Sequence, residues 1–138
     1  MEAPSVQQLN DGMVGFDRLY GLRVTDCSER EASGEIEVTD DLRQPMGLLH
    51  GGVLASIAES LASMATAIAV LQQGELAMGL SNSTSFLRPV TSGRVRAHAR
   101  RIHRGRTTWV WDVSFTDEAG SLCAVTRMTV AVRPARGA

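Results

Sequence analysis

One stretch decides the fold: residues 50–74, which read HGGVLASIAESLASMATAIAVLQQG. Small and apolar residues recur through it at helical spacing, and this predicts one long helix over residues 51–72 that ends before Gly74. On a helical wheel the larger apolar side chains fall into one stripe, which we expect to face the core. The stripe consists of Leu54, Ile57, Leu61, Met64, Ile68 and Leu71. Four polar residues lie on the opposite face: Ser56, Glu59, Ser63 and Thr66.

The predicted helix carries almost no charge. Between residues 44 and 87 the only charged side chains are Glu59 and Glu75. A helix face turned to water normally carries several Lys, Arg and Glu residues, so a small, polar outer face indicates that a partner subunit or a ligand covers it. Glu59 then becomes a lone carboxylate next to an interface, which favours a functional role. The alternative is an exposed glutamate that only keeps the helix soluble.

Strand patterns lie on both sides of the helix. A weak one covers residues 14–25, and a clearly alternating one covers residues 32–39. Four more follow the helix, over residues 78–86, 94–103, 107–115 and 122–132. One helix cannot cover both faces of a sheet this large, and the economical arrangement is an antiparallel sheet curled around it. The prediction is therefore one α+β domain over residues 1–138 with the hotdog fold.

The net charge of −1 conceals two oppositely charged parts of the chain. Residues 1–87 hold 12 acids and 4 arginines, residues 88–138 hold 3 acids and 10 arginines, and there is no lysine. A basic segment suggests a phosphate-bearing partner, either a nucleic acid or a phosphorylated cofactor. Residues 94–106 lack the interleaved aromatic side chains of a single-strand binder, so we expect no nucleic acid partner. The alternative is that these arginines pair with acids of the first part.

Several other kinds of protein and site are disfavoured. The first residues lack the regions of a signal peptide, and small polar residues and Glu59 interrupt the apolar stretch over residues 53–71, so we expect no membrane span. Cys27 and Cys123 fit two free thiols in a reducing cytoplasm, where we expect the protein. The three histidines have no metal-ligand spacing, and nucleophile-elbow, phosphate-loop and dinucleotide motifs are missing, so we expect no metal.

Gly51 and Gly52 open the predicted helix. Free backbone N–H groups point outward at a helix N-terminus and the helix dipole is positive there, so a carbonyl oxygen can bind where no side chain blocks it. Glu59 lies eight residues further on, about 12 Å away by helical rise. One helix cannot bring both groups to one carbonyl carbon, whereas two antiparallel helices in a symmetric dimer can. The sequence therefore predicts a homo-oligomer whose sites are shared between subunits.

A motif spans the start of the helix: residues 42–63 read LRQPMGLLHGGVLASIAESLAS and contain the spacing Q-x5-HGG-x6-E-x3-S. This segment resembles the PaaI-type hotdog thioesterases, and among them the 4-hydroxybenzoyl-CoA thioesterase subgroup that has a glutamate on the central helix. The similarity continues through SNSTSFLRPV, RIHRGRTTWVWDVS, GSLCAV and AVRPAR, and covers about residues 38–136. It implies an enzyme that hydrolyses an acyl-CoA thioester to the free acid and CoA. It implies no cofactor, because coenzyme A is part of the substrate.

The resemblance also implies roles for individual residues. The Gly51 N–H would polarise the thioester carbonyl, and Glu59 of the facing subunit would attack the carbon or activate water. Gln44 and His50 would line and orient the site, and Ser63 would supply a hydroxyl. Three residues would contact the phosphates of coenzyme A: Arg88, Thr107 and Arg136.

Three positions depart from the subgroup. Arg106 stands where the subgroup has Ser next to the nucleotide, which adds a phosphate contact or only repacks the rim. Ser63 stands where it has Thr, which enlarges the pocket slightly. Met64 stands where it has Glu near the far end of the acyl pocket, and a thioether accepts hydrogen bonds poorly. We therefore expect a less polar aromatic acyl group to be hydrolysed at least as well as the 4-hydroxylated ring.

The sequence leaves the acyl group open. Phenylacetyl-CoA, a naphthoyl-CoA and an aliphatic acyl-CoA are alternatives, as is a non-catalytic hotdog protein that binds acyl-CoA, although such a sensor should lack the carboxylate of Glu59. A hydratase is disfavoured because no Asp and His pair is visible for it. Glu59 fits a nucleophile or a general base. We expect a homotetramer built as a dimer of dimers, and a simple dimer is the alternative.

Overall fold

A computed structural model describes residues 2–136 of the protein. Within this range two short helices, α1 (Val6–Asp11) and α2 (Gly15–Leu19), precede the strands β1 (Arg23–Cys27) and β2 (Glu31–Glu37). A 3₁₀ turn at Asp40–Leu42 then leads to the long helix α3 (Gly51–Leu71). Four strands follow: β3 (Glu75–Phe86), β4 (Arg94–Arg104), β5 (Thr108–Thr116) and β6 (Leu122–Pro134).

The six strands form one antiparallel sheet in the order β1-β2-β4-β5-β6-β3, and α3 packs against one face of it. In β5 every second residue is buried: Trp109, Trp111, Val113 and Phe115. This alternation is that of a strand with one face on the core and the other face outward. The predicted fold, an α+β hotdog with a sheet around one long helix, is confirmed, and so are the helix and the strands from β2 onward.

The N-terminal segment differs from the prediction. Residues 14–25, predicted as a strand, form α2 and the start of β1, and α1 is absent from the prediction. α1 begins with a capping box in which Ser5 and Gln8 each accept the other's backbone N–H. α2 is followed by Gly21, whose φ of 84° is a left-handed conformation that favours glycine and allows the chain to turn into β1. The strand prediction was wrong for residues 15–19, because a helix of five residues is too short to show a helical period.

The buried face of α3 is made of smaller side chains than predicted. It consists of Leu54, Ile57, Ala58, Leu61, Ala62, Ala65, Thr66 and Val70. Leu71, expected in the core, is 59% exposed. Thr66, expected on the opposite face, is buried: its hydroxyl donates to the Ala62 carbonyl at 2.7 Å and accepts from Trp111 Nε1 at 3.0 Å. The large indole of Trp111 occupies the space between sheet and helix, so small helix residues face the sheet.

α3 is long and apolar enough to cross a membrane, by its length and composition alone. The expectation that this stretch is too polar for a membrane span is therefore wrong. In the fold the helix lies against the sheet, and Ile57 and Leu61 are fully buried there. Core helices pass the same test of length and composition.

Candidate active site

The N-terminus of α3 presents an unpaired backbone donor. His50 is the N-cap residue, and its Nδ1 accepts a hydrogen bond from the Gly52 N–H at 2.8 Å. In the neutral ring this bond places the proton on Nε2, which is then a donor. The Gly51 N–H has no acceptor among the described residues, and it lies at the positive end of the helix dipole. It is therefore free to bind an oxygen atom from outside the chain.

Packing explains why glycines stand at both positions. A methyl group added at Gly51 would lie 2.6 Å from Cζ of Phe86, whose ring therefore rests on the first turn of the helix. A methyl group at Gly52 would lie 2.8 Å from His50 Nδ1 and would displace the cap. Both contacts are closer than a Cβ atom tolerates, so larger residues would move either the ring or the cap.

A cleft of about 520 Å³ opens in front of this N-terminus. We call it the glycine cleft, and its polar lining is formed by Gln44, His50, Gly51, Gly52 and Arg88. None of the described residues that line it is acidic. The structure thus brings together four of the predicted site residues, and all of them offer hydrogen-bond donors.

A tight turn holds the Gln44 side chain in the glycine cleft. Its Oε1 accepts from the backbone N–H of Met46, and the Leu48 N–H lies 3.4 Å away from the same oxygen. Gly47, with φ of 87°, allows the chain to reverse between them. Because the carbonyl oxygen is used inside the turn, the Gln44 NH₂ group is left as a donor towards the cleft.

Glu59 lies in a second cleft of about 480 Å³, on the middle of the same helix. We call it the glutamate cleft, and it is lined by Asp17, Glu59, Ser60, Ser63, Met64, Ala67, Ala77 and Gly79. Glu59 is exposed in the single chain. Ser63 and Met64 line this cleft with Glu59, although Met64 was expected in the apolar stripe that faces the core, and Gly51 lies outside the cleft. Among the described lining residues there is no basic side chain.

Strand β3 makes room for the Glu59 carboxylate. A methyl group added at Gly79 would lie 3.0 Å from Glu59 Oε1 and 2.8 Å from Met128 Cε. The pairing of β3 with β6 also shifts register between Gly79 and Ser81, which is a bulge or irregularity of the strand. The glycine and the irregularity together allow the carboxylate to lie against the strand.

Ser63 has an unusual environment in the glutamate cleft. Its hydroxyl is buried and has no hydrogen-bond partner in the described chain. Leaving a buried hydroxyl unpaired costs about 1–3 kcal/mol. A group supplied from outside the chain, by a ligand or a second subunit, would remove this cost.

The arginines of the basic C-terminal part divide into two groups. Arg94 pairs with Glu37 at 2.9 Å, and Arg127 pairs with Asp112 at 2.8 Å. Further pairs join Arg94 and Arg96 to Glu35 and Arg104 to Glu29. For Arg94, Arg96 and Arg104 the alternative of pairing with acids of the first part is therefore correct, whereas Arg127 pairs with an acid of its own part. The other six arginines of this part have no ion pair within the described chain. They are the three considered for phosphate contacts, Arg88, Arg106 and Arg136, and also Arg100, Arg101 and Arg133.

Three of the residues expected near the phosphates of coenzyme A lie far from the glycine cleft of their own chain. Arg106 and Val70 line a small cleft beside the last turn of α3. Val70 lies about 28 Å from Gly51 along the helix axis, from the rise of about 1.5 Å per residue. The Thr107 carbonyl accepts from the Val132 N–H at 2.9 Å and from Arg133 Nη1 at 2.6 Å, and the Thr107 residue is exposed. Arg136 follows β6 in an exposed turn. Arg88 alone among the four shares the glycine cleft.

Several residues of the two clefts are absent from the prediction, among them Asp17, Ser60, Gly79 and Phe86. Glycine inside a strand pattern indicates a bulge or a close approach, so Gly79 had a usable signal. Asp17 had none, because the segment around it was predicted as a strand. Cys27 and Cys123 are free, and the described residues contain no group of three or more His, Cys, Asp or Glu arranged to hold a metal.

Comparison with known proteins agrees with this architecture. Residues 46–124 match the model of the Thioesterase superfamily. A 1,4-dihydroxy-2-naphthoyl-CoA hydrolase of Listeria monocytogenes is 34% identical over 123 residues, which cover 89% of this chain and 99% of that one. A proofreading thioesterase of Klebsiella pneumoniae is 40% identical over 100 residues, covering 71% of this chain and 72% of that one. A mutant thioesterase from Pseudomonas aeruginosa has a crystal structure that covers 96% of each chain with a TM-score of 0.90 and 36% identity.

The family match spans more than half of the residues, and the relatives share both the sequence and the fold of most of the chain. The protein therefore belongs to the Thioesterase superfamily and is a hydrolase with the hotdog fold.

Proposed function

We propose that the protein hydrolyses acyl-CoA thioesters in sites that two subunits share. One observation carries the proposal: the unpaired Gly51 N–H and the exposed Glu59 carboxylate lie in separate clefts along one helix, about 12 Å apart by rise. Each cleft holds half of what thioester hydrolysis needs. The activities named for the relatives, hydrolysis of a naphthoyl-CoA and a proofreading thioesterase, support this chemistry.

Strand β3 offers the surface for a dimer. It is an edge strand of 12 residues, and most of its side chains are exposed. Four large apolar ones are Leu76, Met78, Leu80 and Phe86, with exposed fractions of 45%, 51%, 61% and 57%. A long, exposed, apolar edge is a template for pairing with another strand. If two β3 edges pair about a two-fold axis, the sheets join and the two α3 helices run antiparallel on the same side.

In that arrangement the start of one α3 lies beside the middle of the other. The glycine cleft then faces the glutamate cleft, so that the donors of one subunit lie opposite the carboxylates of the other. The uncharged outer face of α3 is covered, and the Ser63 hydroxyl gains groups that can pair with it. We further propose that two such dimers form a homotetramer and that the enzyme works in the cytoplasm.

The proposed site stabilises the charge that develops on the thioester oxygen. This oxygen accepts from the Gly51 N–H while the helix dipole favours the negative charge, and the Gln44 NH₂ and His50 Nε2 donate from the same cleft. In one route the Glu59 carboxylate attacks the carbon, coenzyme A leaves as a thiolate, and water hydrolyses the acyl-enzyme anhydride. In the other route Glu59 takes a proton from the water that attacks the carbon, and that proton passes to the leaving thiolate.

We propose that three of the arginines without an ion pair bind the phosphates of coenzyme A. Arg88 does so from the glycine cleft, and Arg106 and Arg136, with Thr107, do so from a neighbouring subunit. If Glu59 of one α3 faces Gly51 of the other, the end of the first helix lies about 20 Å beyond Gly51 by helical rise. Arg106 lies beside that end. This distance suits an elongated ligand whose thioester and phosphates bind at separate places.

The test is Glu59→Gln, assayed by release of free thiol from a panel of aryl- and alkyl-CoA thioesters. The wild-type protein should hydrolyse at least one of them, and the variant should lose about 100-fold or more in turnover while still binding coenzyme A, because the lost group acts on the carbonyl and not on the nucleotide. Glu118→Gln, the same change in the β5–β6 turn, is the control. Near wild-type turnover of Glu59→Gln would refute the proposed mechanism, and acyl-CoA binding by a wild-type protein without turnover would favour the non-catalytic alternative.

A further inference from the structure

The Asn82 side chain of β3 is hydrogen-bonded to the backbone of α3. Its Nδ2 donates to the Ala55 carbonyl oxygen at 2.9 Å. A carbonyl oxygen can only accept, so the NH₂ end of the amide faces the helix and the oxygen end faces away from it. Ala55 stands four residues after Gly51 and four residues before Glu59. The bond therefore lies midway between the two groups that the proposed reaction requires.

The Ala55 carbonyl also takes part in the backbone hydrogen bonds of α3. In an α-helix each carbonyl oxygen accepts from the N–H four residues later, so the Ala55 oxygen is the backbone acceptor for Glu59. An oxygen with two lone pairs can accept both hydrogen bonds. A contact with this atom therefore acts on the peptide group that holds Glu59, and a displacement of this group would displace the Glu59 backbone.

Two threonines hold the Asn82 amide in its orientation. The Thr84 hydroxyl donates to Asn82 Oδ1 at 2.8 Å. Because that bond uses the only hydroxyl proton of Thr84, Thr126 is the donor in the 2.8 Å contact between the hydroxyls of Thr84 and Thr126. Thr126 lies in β6 and is 3% exposed, so one end of this chain of hydrogen bonds is anchored in the core. Asn82 thus connects the position of the sheet to that of the helix.

Asn82 lies on the edge strand that we propose for the dimer. It is exposed in the single chain, and a hydrogen bond that water can replace contributes little to the free energy of folding. A second subunit paired along β3 would exclude water from this edge and strengthen the bond, because the local dielectric constant falls. The pairing that brings Glu59 of one chain towards Gly51 of the other would then also fix Glu59 relative to the paired edge.

We infer that Asn82 is a positioning residue, which sets the place of Glu59 relative to the β3 edge and hence to the glycine cleft of the facing subunit. This inference rests on the proposed function and adds to it a residue that acts through the Ala55 carbonyl and not on the substrate. Placement matters for the reaction, because an error of about 1 Å in the position of a reacting group can reduce the rate by about 100-fold.

The test compares kcat and KM of the wild-type protein with those of Asn82→Ala and Asn82→Asp, for the acyl-CoA thioester that the wild-type protein hydrolyses fastest. Both changes remove the donor to the Ala55 carbonyl, and the first does so without a new charge. kcat should fall by roughly tenfold or more while KM changes by less than about threefold, because the groups that bind the substrate stay in place. Sedimentation should show the same oligomer as for the wild-type protein.

Asn10 provides the matched control. Its Nδ2 donates to the Val24 carbonyl oxygen at 2.8 Å, so it also joins a helix to a strand, but it lines neither of the two clefts. Asn10→Ala and Asn10→Asp should lower the free energy of unfolding and leave kcat near the wild-type value. A loss of kcat as large as that of the Asn82 variants would mean that loosening any such contact slows the enzyme, and it would overturn the inference.

Thr84 gives a second test, which also serves where an Asn82 variant does not fold. Thr84→Val removes the hydroxyl that orients the amide and should lower kcat several-fold, whereas Thr84→Ser keeps the hydroxyl and should retain more of kcat than Thr84→Val. An unchanged kcat in the Asn82 variants and in Thr84→Val, or loss of the oligomer together with kcat, would overturn the inference and leave the proposed function intact. A wild-type protein that hydrolyses none of the acyl-CoA thioesters would overturn both.

Discussion

The glycine cleft and the glutamate cleft carry opposite halves of one chemistry. The first offers donors, the Gly51 N–H and Arg88, and none of its described residues is acidic. The second offers the carboxylates of Asp17 and Glu59 and no basic group in the described lining. Both lie on α3, and each depends on a glycine that lets a side chain approach the backbone, at Gly51 and at Gly79. The difference teaches that a single chain contains the parts of a site without a complete site.

The largest effect should appear when the two halves are damaged in different chains. Gly51→Pro removes the N–H donor and Glu59→Gln removes the reacting carboxylate, so each homodimer should lose about 100-fold or more in turnover. A mixed dimer keeps one intact site, formed by Gly51 of one chain and Glu59 of the other. An equal mixture that exchanges freely should therefore regain about a quarter of wild-type activity, measured as thiol release after refolding the two chains together.

A mixture that stays as inactive as its components would contradict shared sites. Gly51→Ala sharpens the comparison, because it keeps the N–H but pushes against the Phe86 ring. If that ring is part of the site, Gly51→Ala should also lose activity; if only the N–H matters, it should lose less than Gly51→Pro.

A smaller effect separates the inner and outer hydroxyls of α3. Thr66→Val should lower the free energy of unfolding by about 1–3 kcal/mol, because the buried Trp111 N–H loses its acceptor. Ser63→Ala removes a hydroxyl that has no partner in the described chain, so it should not lower this free energy and should reduce turnover instead. Denaturant unfolding and thiol release, measured on both variants, check the pair. Equal destabilisation by both changes would show that Ser63 is structural.

The smallest effect concerns binding of the nucleotide. Arg88→Ala should raise KM for an acyl-CoA by about three- to tenfold with little change in kcat, because a remote phosphate contact contributes to ground-state and transition-state binding equally. A short thioester without the nucleotide should be insensitive to this change. Arg127→Ala is the matched control, since Arg127 is paired with Asp112 on the outer face of the sheet. Equal losses with the long and the short thioester would mean that Arg88 acts on the fold.

Periodicity made most of the fold predictable. α3 and the strands after it are long elements with clear helical or alternating patterns, and their predicted bounds agree with the structure to within a few residues. The N-terminal segment failed because α1 and α2 have six and five residues, which is too short for a periodic signal. The sequence also did not show that the buried face of α3 includes Thr66. That placement depends on the bulk of Trp111, which lies in a strand distant in sequence.

The candidate site was predictable where it is local in sequence. Gln44, His50, Gly51 and Glu59 belong to one motif, so their spacing placed them on one helix and at its start. Asp17 reaches Ser60 across 43 residues, and that contact exists only because α2 packs on α3. Ion pairing is similarly non-local: no sequence pattern separates Arg127, which is paired, from Arg88, which is not.

The exposed edge of β3 has a consequence for how activity depends on the amount of enzyme. If pairing of this edge assembles the site, single chains are inactive, and the amount of active dimer is set by the monomer–dimer equilibrium. At concentrations below the dissociation constant the number of dimers grows as the square of the chain concentration, so doubling the protein gives about fourfold activity. Specific activity should then fall on dilution, which makes the level of synthesis of this protein a control on its catalysis.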